Sequence, residues 1–591
     1  RLSLTGTIDG DILVESDANV VVQSGGTFGG TGTVDGLLTV NGTSSTRGTV
    51  APGLVDVYET LDVDDVVFNT GSRLEVKVDP GGANWDSLVV SGTATINGGV
   101  VSVRPGLGLF ETAQTYTILS AGNLLSDPFP WTVEQDFHFF DASVAMDGDL
   151  DLVELTVTPD LDASYSSAAA TPNQRAVGTV LDQQTPPGSA LTPVLVTLYS
   201  LPTSELQQAL DEIGGEALTA FTTARLANEQ KFTRTVTSRL GLVGGRAIGS
   251  PGTVDLVASL RGTEQGLSSW APVQLAMAGG LDSARMLQLA AAGPAVSSPP
   301  PDERRRVGLW LDGYGLLGGV DGDGNTAKTK WTVPGVVGGL DVALGRRWVL
   351  GLAAGWARLD LDVKGRSMNG EADVFQGGLY GAYVGERLYV GGLARYAYTS
   401  YDTSRHVVFG SGVDVIDRTL TADYKGNDVG GYLEAGYVAW APAGFQIEPM
   451  AAFDYTWLQR ESFVESGADD IALAVDKETW HSLLGSVGVR VHKSIALQED
   501  EGLRMVPELS ARYAHQFGDR DRPLDARIVG ADPGTGNFQV VGASASSYGA
   551  ILGLGWSVVR ENNLAFFIQY DLNWNRDLLG HALAAGLLVR F

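Results

Sequence analysis

From about residue 307 to its end the chain alternates apolar and polar positions with period two. In the segment 563–575, Leu564, Phe566, Ile568, Tyr570, Leu572 and Trp574 fall on one face. Ala565, Phe567, Gln569, Asp571, Asn573 and Asn575 fall on the other. Successive side chains of a strand point to opposite sides, so one face suits lipid and the other a watery lumen. Segment 444–458 repeats the pattern, with Phe445, Ile447, Phe453, Tyr455 and Trp457 set against Gln446, Glu448, Asp454 and Thr456. About twelve such strands are predicted, near 307–318, 331–344, 347–361, 370–384, 387–402, 425–440, 444–458, 477–493, 502–517, 543–559, 563–575 and 580–591, each long enough to cross a bilayer at a tilt. The connections largely alternate in length. Short turns at Arg346, Glu386 and Ala441-Pro442-Ala443 contrast with long polar loops at 320–330, 403–424, 459–476 and 518–542. Short periplasmic turns and long external loops characterise outer-membrane barrels, and closure leaves no unpaired strand edge in lipid.

The first 160 residues have another rhythm. Short β-branched runs such as Ile12-Leu13-Val14, Val20-Val21-Val22 and Leu37-Leu38-Thr39-Val40 alternate with Gly, Asn and Asp turns. This predicts a solenoid, in which each rung completes its core only by stacking on its neighbours. A GxG pattern lies within 25–36, but no helix follows it, which disfavours a dinucleotide fingerprint. Around 163–172 the β pattern gives way to Ser and Ala. Thr171-Pro172 reads as a cap followed by Pro at the first helical position. After Pro202, Thr203 or Ser204 can cap a longer helix to about Leu240, bent at Gly214-Gly215, with apolar positions at Leu206, Leu210, Ile213, Ala217, Phe221 and Leu226. Residues 293–301 read as a flexible linker.

Composition changes this picture little. The chain has 591 residues, 77 Gly, no Cys and a formal net charge of −29. Without Cys there is no disulfide framework or thiolate metal site, and the acidity disfavours nucleic-acid partners. No run is long and apolar enough for a transmembrane helix, which says nothing about a barrel. Arg1-Leu2-Ser3-Leu4 is not a signal peptide; if the protein is exported, its signal is expected upstream or removed.

Ser72-Arg73-Leu74-Glu75-Val76-Lys77-Val78, Trp85-Asp86-Ser87-Leu88-Val89-Val90-Ser91-Gly92-Thr93-Ala94, Gly98-Gly99-Val100-Val101-Ser102-Val103 and Tyr116-Thr117-Ile118-Leu119 together resemble the end of a bacterial autotransporter passenger. Leu210-Asp211-Glu212-Ile213-Gly214-Gly215-Glu216-Ala217 is similar to the helical linker preceding autotransporter barrels. The resemblance implies an all-β chain in three parts: a right-handed parallel β-helix end with an autochaperone-like region (1–160), a helical linker (161–306) and a twelve-stranded transmembrane antiparallel barrel (307–591). It implies a helix in the barrel lumen, from either 203–240 or 265–292. Leu583, Ala585, Gly586, Leu587, Val589 and Phe591 resemble the C-terminal signal read by the barrel-assembly machinery, although Val589 stands where the family often has an aromatic. The partners so implied are outer-membrane lipid and lipopolysaccharide, the assembly machinery with periplasmic chaperones, and an unknown surface ligand, for a monomer at the outer membrane with its N-terminal part at the cell surface.

Candidate chemistry is sparse. His138 is the only His before Arg306 and no nucleophile signature accompanies it, so it reads as a structural residue. Asp321-Gly322-Asp323-Gly324-Asn325 begins like a calcium loop, but Thr326 and Thr332 occupy the positions of the required Gly and Glu. Glu434, Glu448, Glu508 and Asp571, with Gln569 beside the last, are expected on the lumen wall, with Arg395, Arg490 and Arg512 as partners. Asn228 stands alone, followed by Glu229, and Asn562-Asn563 lies at a turn; neither matches the Asn pair by which some autotransporters cut their linker. The expectation is therefore a protein that is not an enzyme and has no cofactor or metal; the resemblance implies that it exports and displays its own passenger, with adhesion as the passenger's role. The alternatives are an enzymatic passenger lying upstream and a diffusion porin.

Overall fold

The computed structural model describes residues 2–243 and 307–590, apart from 5–6, 9–10, 54–56, 127, 148, 345–346, 411–414, 499–502, 545, 561–563 and 577. The candidate lumen helix 265–292, the linker 293–301, Arg346, Asn562-Asn563 and Phe591 lie outside the described residues.

The N-terminal part is a solenoid with two parallel ladders. Thr27–Val40, Thr60–Phe68, Ser87–Ile96 and Gln114–Leu125 stack in one, and Gly48–Pro52, Ser72–Val78 and Val100–Pro105 in the other. In-register stacking puts like on like inside: Val40 on Phe68 on Ile96, and Leu38 on Val66 on Ala94, all buried. The turns stack as well. Asn69 donates to Asn41 at 3.0 Å and Asn97 to Asn69 at 3.1 Å, each pair 28 residues apart. This spacing is the repeat that the irregular sequence obscures. The ladder then ends, because Leu152–Pro159 pairs antiparallel with Gln114–Leu125, and Phe140–Asp147 with Leu152–Pro159. A solenoid needs such a cap. Asp86 is buried at a turn, taking Lys77 Nζ at 2.7 Å and the backbone N–H groups of Lys77 and Glu59 at 2.9 and 3.1 Å. Burial outweighs these contacts and pushes its carboxyl up to about 6.

Among the described residues four α-helices follow: α1 (Pro172–Leu181), α2 (Thr192–Tyr199), α3 (Thr203–Gly214) and α4 (Ala220–Val243). Thr171 caps α1 in a full capping box with Gln174. For α3 the sequence expectation fails. The N-cap is Pro202, without a side-chain bond, and Thr203 instead ties back to the Asp136 carbonyl through its N–H at 2.8 Å and its hydroxyl at 3.1 Å. The predicted single helix is broken at Gly215, whose φ of +64° ends α3 in the left-handed region. A 3-10 turn, Glu216–Thr219, leads into α4.

The barrel closes in twelve antiparallel strands. They are Val307–Val320 (β1), Lys328–Leu344 (β2), Trp348–Lys364 (β3), Met368–Val384 (β4), Leu388–Phe409 (β5), Ile416–Tyr437 (β6), Phe445–Arg460 (β7), Glu478–Lys493 (β8), Leu503–Gln516 (β9), Tyr548–Arg560 (β10), Leu564–Asn575 (β11) and Leu578–Arg590 (β12). Outward positions carry large exposed apolar side chains, among them Leu350, Leu352, Phe453, Leu554 and Ile568. Their inward neighbours are buried or half-buried, Val349, Ala353, Ala452 and Asp454 among the buried ones. Residues 403–424, expected as a polar loop, are instead mostly strand: β5 and β6 stay paired as far as Phe409 and Ile416. The loops after β7 and β9 also contain strands, and Phe463–Val464, Leu473–Val475, Arg522–Ile528 and Asn537–Gly542 form a small sheet outside the barrel. One buried apolar cluster runs from Val20 of the solenoid through Val177, Leu198 and Ile213 of α1, α2 and α3, which together form a collar, to Leu473 and Val540 of this sheet. Stalk, collar and barrel mouth therefore share a core.

Candidate functional site: the helix-filled barrel lumen

Helix α4 is charged on several sides, a composition that water or a polar lumen tolerates and lipid does not. It occupies the lumen, and Arg225, Glu229, Lys231 and Arg234 each meet a wall residue of opposite sign or matching polarity. Arg225 pairs with Asp428 on β6 and lies 5.3 Å over the Tyr401 ring. Glu229 takes Arg395 Nε at 3.0 Å, and Arg395 Nη2 reaches Asp454 on β7 at 2.7 Å. Lys231 stands 3.2 Å from Asp571, and Arg234 donates to Asn573 at 2.7 Å, both on β11. Between them lies Asn228, fully buried; it accepts from Tyr314 at 2.8 Å and donates to Gln376 at 3.2 Å. Such pairs fix the helix by depth and rotation, because a slide of one turn would leave several buried charges without partners.

Two glycines make this fit possible. A Cβ at Gly430 would stand 2.6 Å from Arg395 Cζ, and one at Gly426 would stand 2.5 Å from Arg225 Nη1. Both lie on β6 with Asp428 between them on the same face, so the guanidinium groups rest against bare backbone.

A second network occupies the wall on β5 to β9. Glu434 takes Arg512 at 2.8 Å and Tyr432 at 2.6 Å, and faces Arg490 at 3.6 Å and Tyr389. Arg490 also meets Glu448 at 3.3 Å and Glu508 at 3.2 Å. The expected wall residues thus divide. Glu434, Glu448, Arg490, Glu508 and Arg512 bond to one another. Arg395 and Asp571 reach α4 instead, with Gln569 donating to Asp571 at 3.0 Å. The sequence reading put Asp454 and Asn573 on the lumen face without naming their partners, and missed Tyr314, Gln376 and Asp428 on the wall and Arg225, Lys231 and Arg234 on the helix. The available signal was the charged spacing of α4 together with Gly-Asn-Asp-Val-Gly at 426–430.

The collar covers the outer mouth. Val408 N–H donates to Glu212 at 3.1 Å, Arg405 pairs with Glu465 at 2.6 Å and reaches the Glu212 carbonyl, and Asn173 bridges Asn325 and Val541 at 2.9 Å each. The β3–β4 hairpin tip inserts Arg366 between Asp211 at 3.2 Å and Glu216 at 3.6 Å. Burial raises the Glu216 carboxyl to about 7, offset in part by Arg366 and the Ala327 N–H. Within the apparent calcium loop, the Asp323 carboxylate accepts from the N–H groups of Asn325 and Thr326 and from the Thr326 hydroxyl, an ordinary turn. His138 Nε2 stands 3.0 Å from the Ser164 carbonyl and 2.8 Å from the Ser167 hydroxyl. A carbonyl can only accept, so the nitrogen donates.

The C-terminal segment forms β12 and closes the barrel against β1. Leu583, Leu587 and Val589 keep some exposure on the outward face, Ala585 is buried between its strand neighbours Gly313 and Ile568, and Gly586 faces inward, where a Cβ would be 2.2 Å from the Leu311 carbonyl.

Residues 309–571 match the family model described as the autotransporter β-domain. Two curated proteins of Serratia marcescens, both named extracellular serine protease, are 26% identical, one across 99% and the other across 97% of this chain. The chain spans about half their length, 53% and 52%. Among solved structures, the translocator domain of the autotransporter NalP from Neisseria meningitidis is 17% identical and covers 54% of this chain and 97% of its own, with a TM-score of 0.39. The β domain of the Bordetella autotransporter BrkA is 20% identical and covers 48% and 100%, with a TM-score of 0.35. The Serratia relatives correct one expectation: a protein assigned no enzymatic character matches, over nearly all its length, two proteins named for an enzymatic one.

Proposed function

Since this chain is a bacterial autotransporter, its C-terminal barrel an outer-membrane translocator and its N-terminal part exported to the cell surface, we propose that it delivers and anchors an enzymatic passenger of the serine-protease class. The observation that carries this reading is the near full-length match to the two Serratia proteases. The catalytic part is placed in the portion of those proteins that this chain does not span. Residues 1–160 then act as the stalk, 161–306 as the linker and 307–591 as the anchor. Passage of the linker through the lumen and folding of the rungs outside supply direction without ATP, since each stacked rung buries apolar surface that cannot return unfolded. Lipid and lipopolysaccharide surround the barrel, and the assembly machinery inserts it by reading β12.

The test is a protease assay on cells expressing the full gene. Casein hydrolysis at the surface or in the medium is expected, abolished by a serine-directed inhibitor and absent when the barrel is truncated. Secretion with no hydrolysis of any protein substrate would overturn the protease reading and leave the export function standing.

A further inference from the structure

Where the stalk meets the collar there is an open cleft of about 520 Å³. Its floor is aromatic. Phe139 stacks on Tyr199 with centroids 5.0 Å apart and meets Tyr165 edge-on at 4.8 Å. Both tyrosine hydroxyls are committed to the protein, Tyr165 to the Leu195 carbonyl at 2.8 Å and Tyr199 to the Phe110 carbonyl at 3.5 Å. What the rings offer a visitor is therefore apolar surface. Leu109 and Leu161 line the cleft while 47% and 83% exposed, and Leu107, two residues away, is 56% exposed. Single exposed leucines are ordinary, but three beside a concave aromatic floor mark a surface that a partner covers.

The rim decides which partner. Glu111, Asp160 and Asp182 line it, with no Lys, Arg or His lining it among the described residues. Asp182 is largely occupied by the N–H groups of Tyr165 and Ser166 at 2.7 and 3.2 Å. Glu111 and Asp160 are exposed, and Asp160 spends one acceptor, Oδ1, on the Asp162 N–H at 3.0 Å. We propose that this cleft binds a polypeptide segment carrying an apolar side chain beside Lys or Arg, the apolar group on the Phe139–Tyr199 floor and the cation on Glu111 and Asp160. Anionic lipid headgroups fit badly, because carboxylates without a cation repel phosphate. The cleft also lies on the outer side. Gln184, one of its lining residues, donates to Thr535 at 3.0 Å, and its neighbour Thr185 bonds Asp532 at 2.7 Å, both in the external segment after β9. A net charge of −29 on the chain adds long-range attraction for a basic ligand.

The experiment uses the full chain in detergent and a fluorescent peptide alternating Lys with Leu and Phe. Its counterpart with Glu for Lys is the control. Binding of the Lys peptide is expected at low ionic strength. It should weaken by roughly tenfold in the double variant E111Q/D160N and by about three- to tenfold in L161S, magnitudes typical of rim charges and a peripheral apolar contact. These side chains are exposed, and an unchanged heat-modifiable band confirms that each variant folds. Equal binding of both peptides, affinity indifferent to the variants, or capture of a neutral oligosaccharide in place of the peptide would each overturn the assignment.

Discussion

Removal of Arg395 should loosen the lumen helix by an amount that can be worked from its contacts. Its guanidinium is buried, 3.0 Å from Glu229 on α4 and 2.7 Å from Asp454 on the wall. Arg395→Met keeps length and apolar stem but leaves two buried carboxylates facing each other. Two charge-assisted hydrogen bonds at about 1.5–3 kcal/mol each give roughly 3–6 kcal/mol. Breaking a buried ion pair by removing one partner typically costs about 3–5 kcal/mol. The two routes agree on a loss of about 3–5 kcal/mol. Glu229→Gln is expected to cost much less, about 1–2 kcal/mol, because the amide oxygen still accepts and Asp454 still balances the arginine. The double variant should then be clearly non-additive, with about 1–3 kcal/mol of coupling, since once Arg395 is gone a neutral amide at position 229 is easier to bury than a carboxylate. The assay is urea unfolding of the purified chain in detergent, approached from both directions and followed by loss of the heat-modifiable band. Additivity within about 0.5 kcal/mol would refute the reasoning, because it would mean that Glu229 and Arg395 do not feel each other and that α4 is not held by charge matching.

Three further outcomes follow from the same geometry. The chain should give low conductance in planar bilayers and a chain lacking 220–243 much larger steps; equal conductance would mean that α4 does not obstruct the lumen. Gly430→Ala should destabilise the barrel by a few kcal/mol, because a Cβ 2.6 Å from Arg395 Cζ must displace a buried guanidinium; an unchanged urea midpoint would contradict the packing. Asp86 and Glu216 have folded values raised to about 6 and about 7 from 3.8 and 4.5. Their favourable contribution is complete below about pH 4 and is lost as pH rises through 6–7, on the order of 2–3 kcal/mol each. Protease resistance of the stalk and collar should therefore be greater at pH 5 than at pH 8. Glu216→Gln should flatten the collar's share, and resistance that rises with pH would contradict the assignment.

The barrel wall was legible because lipid imposes one rule on every outward position, and Leu564 to Trp574 obey it. Where strands leave the membrane that rule lapses. Tyr401, Thr403, Arg405, Val407 and Phe409 still face inward and are buried, but their outward neighbours, Asp402 and His406 among them, meet water, and the segment reads as a polar loop. The small external sheet was hidden for another reason: Phe463–Val464 and Leu473–Val475 are too short for any periodicity. Lumen acids could be recognised as inward, but not their partners. Glu434 finds Arg512 across the wall and Asp571 finds Lys231 on the helix, a choice made by the rotation and depth of α4. Likewise the 28-residue repeat appears only once Asn41, Asn69 and Asn97 stack.

The central claim is topological, and the absence of Cys in this chain allows a direct test by single-cysteine labelling. Ser45 lies in an exposed solenoid turn and Arg387 in the short exposed turn between β4 and β5. With a membrane-impermeant maleimide on intact cells, Ser45→Cys should label fully and Arg387→Cys only after the outer membrane is permeabilised. Labelling of Arg387→Cys on intact cells, or protection of Ser45→Cys, would contradict a barrel that spans the outer membrane with its stalk outside.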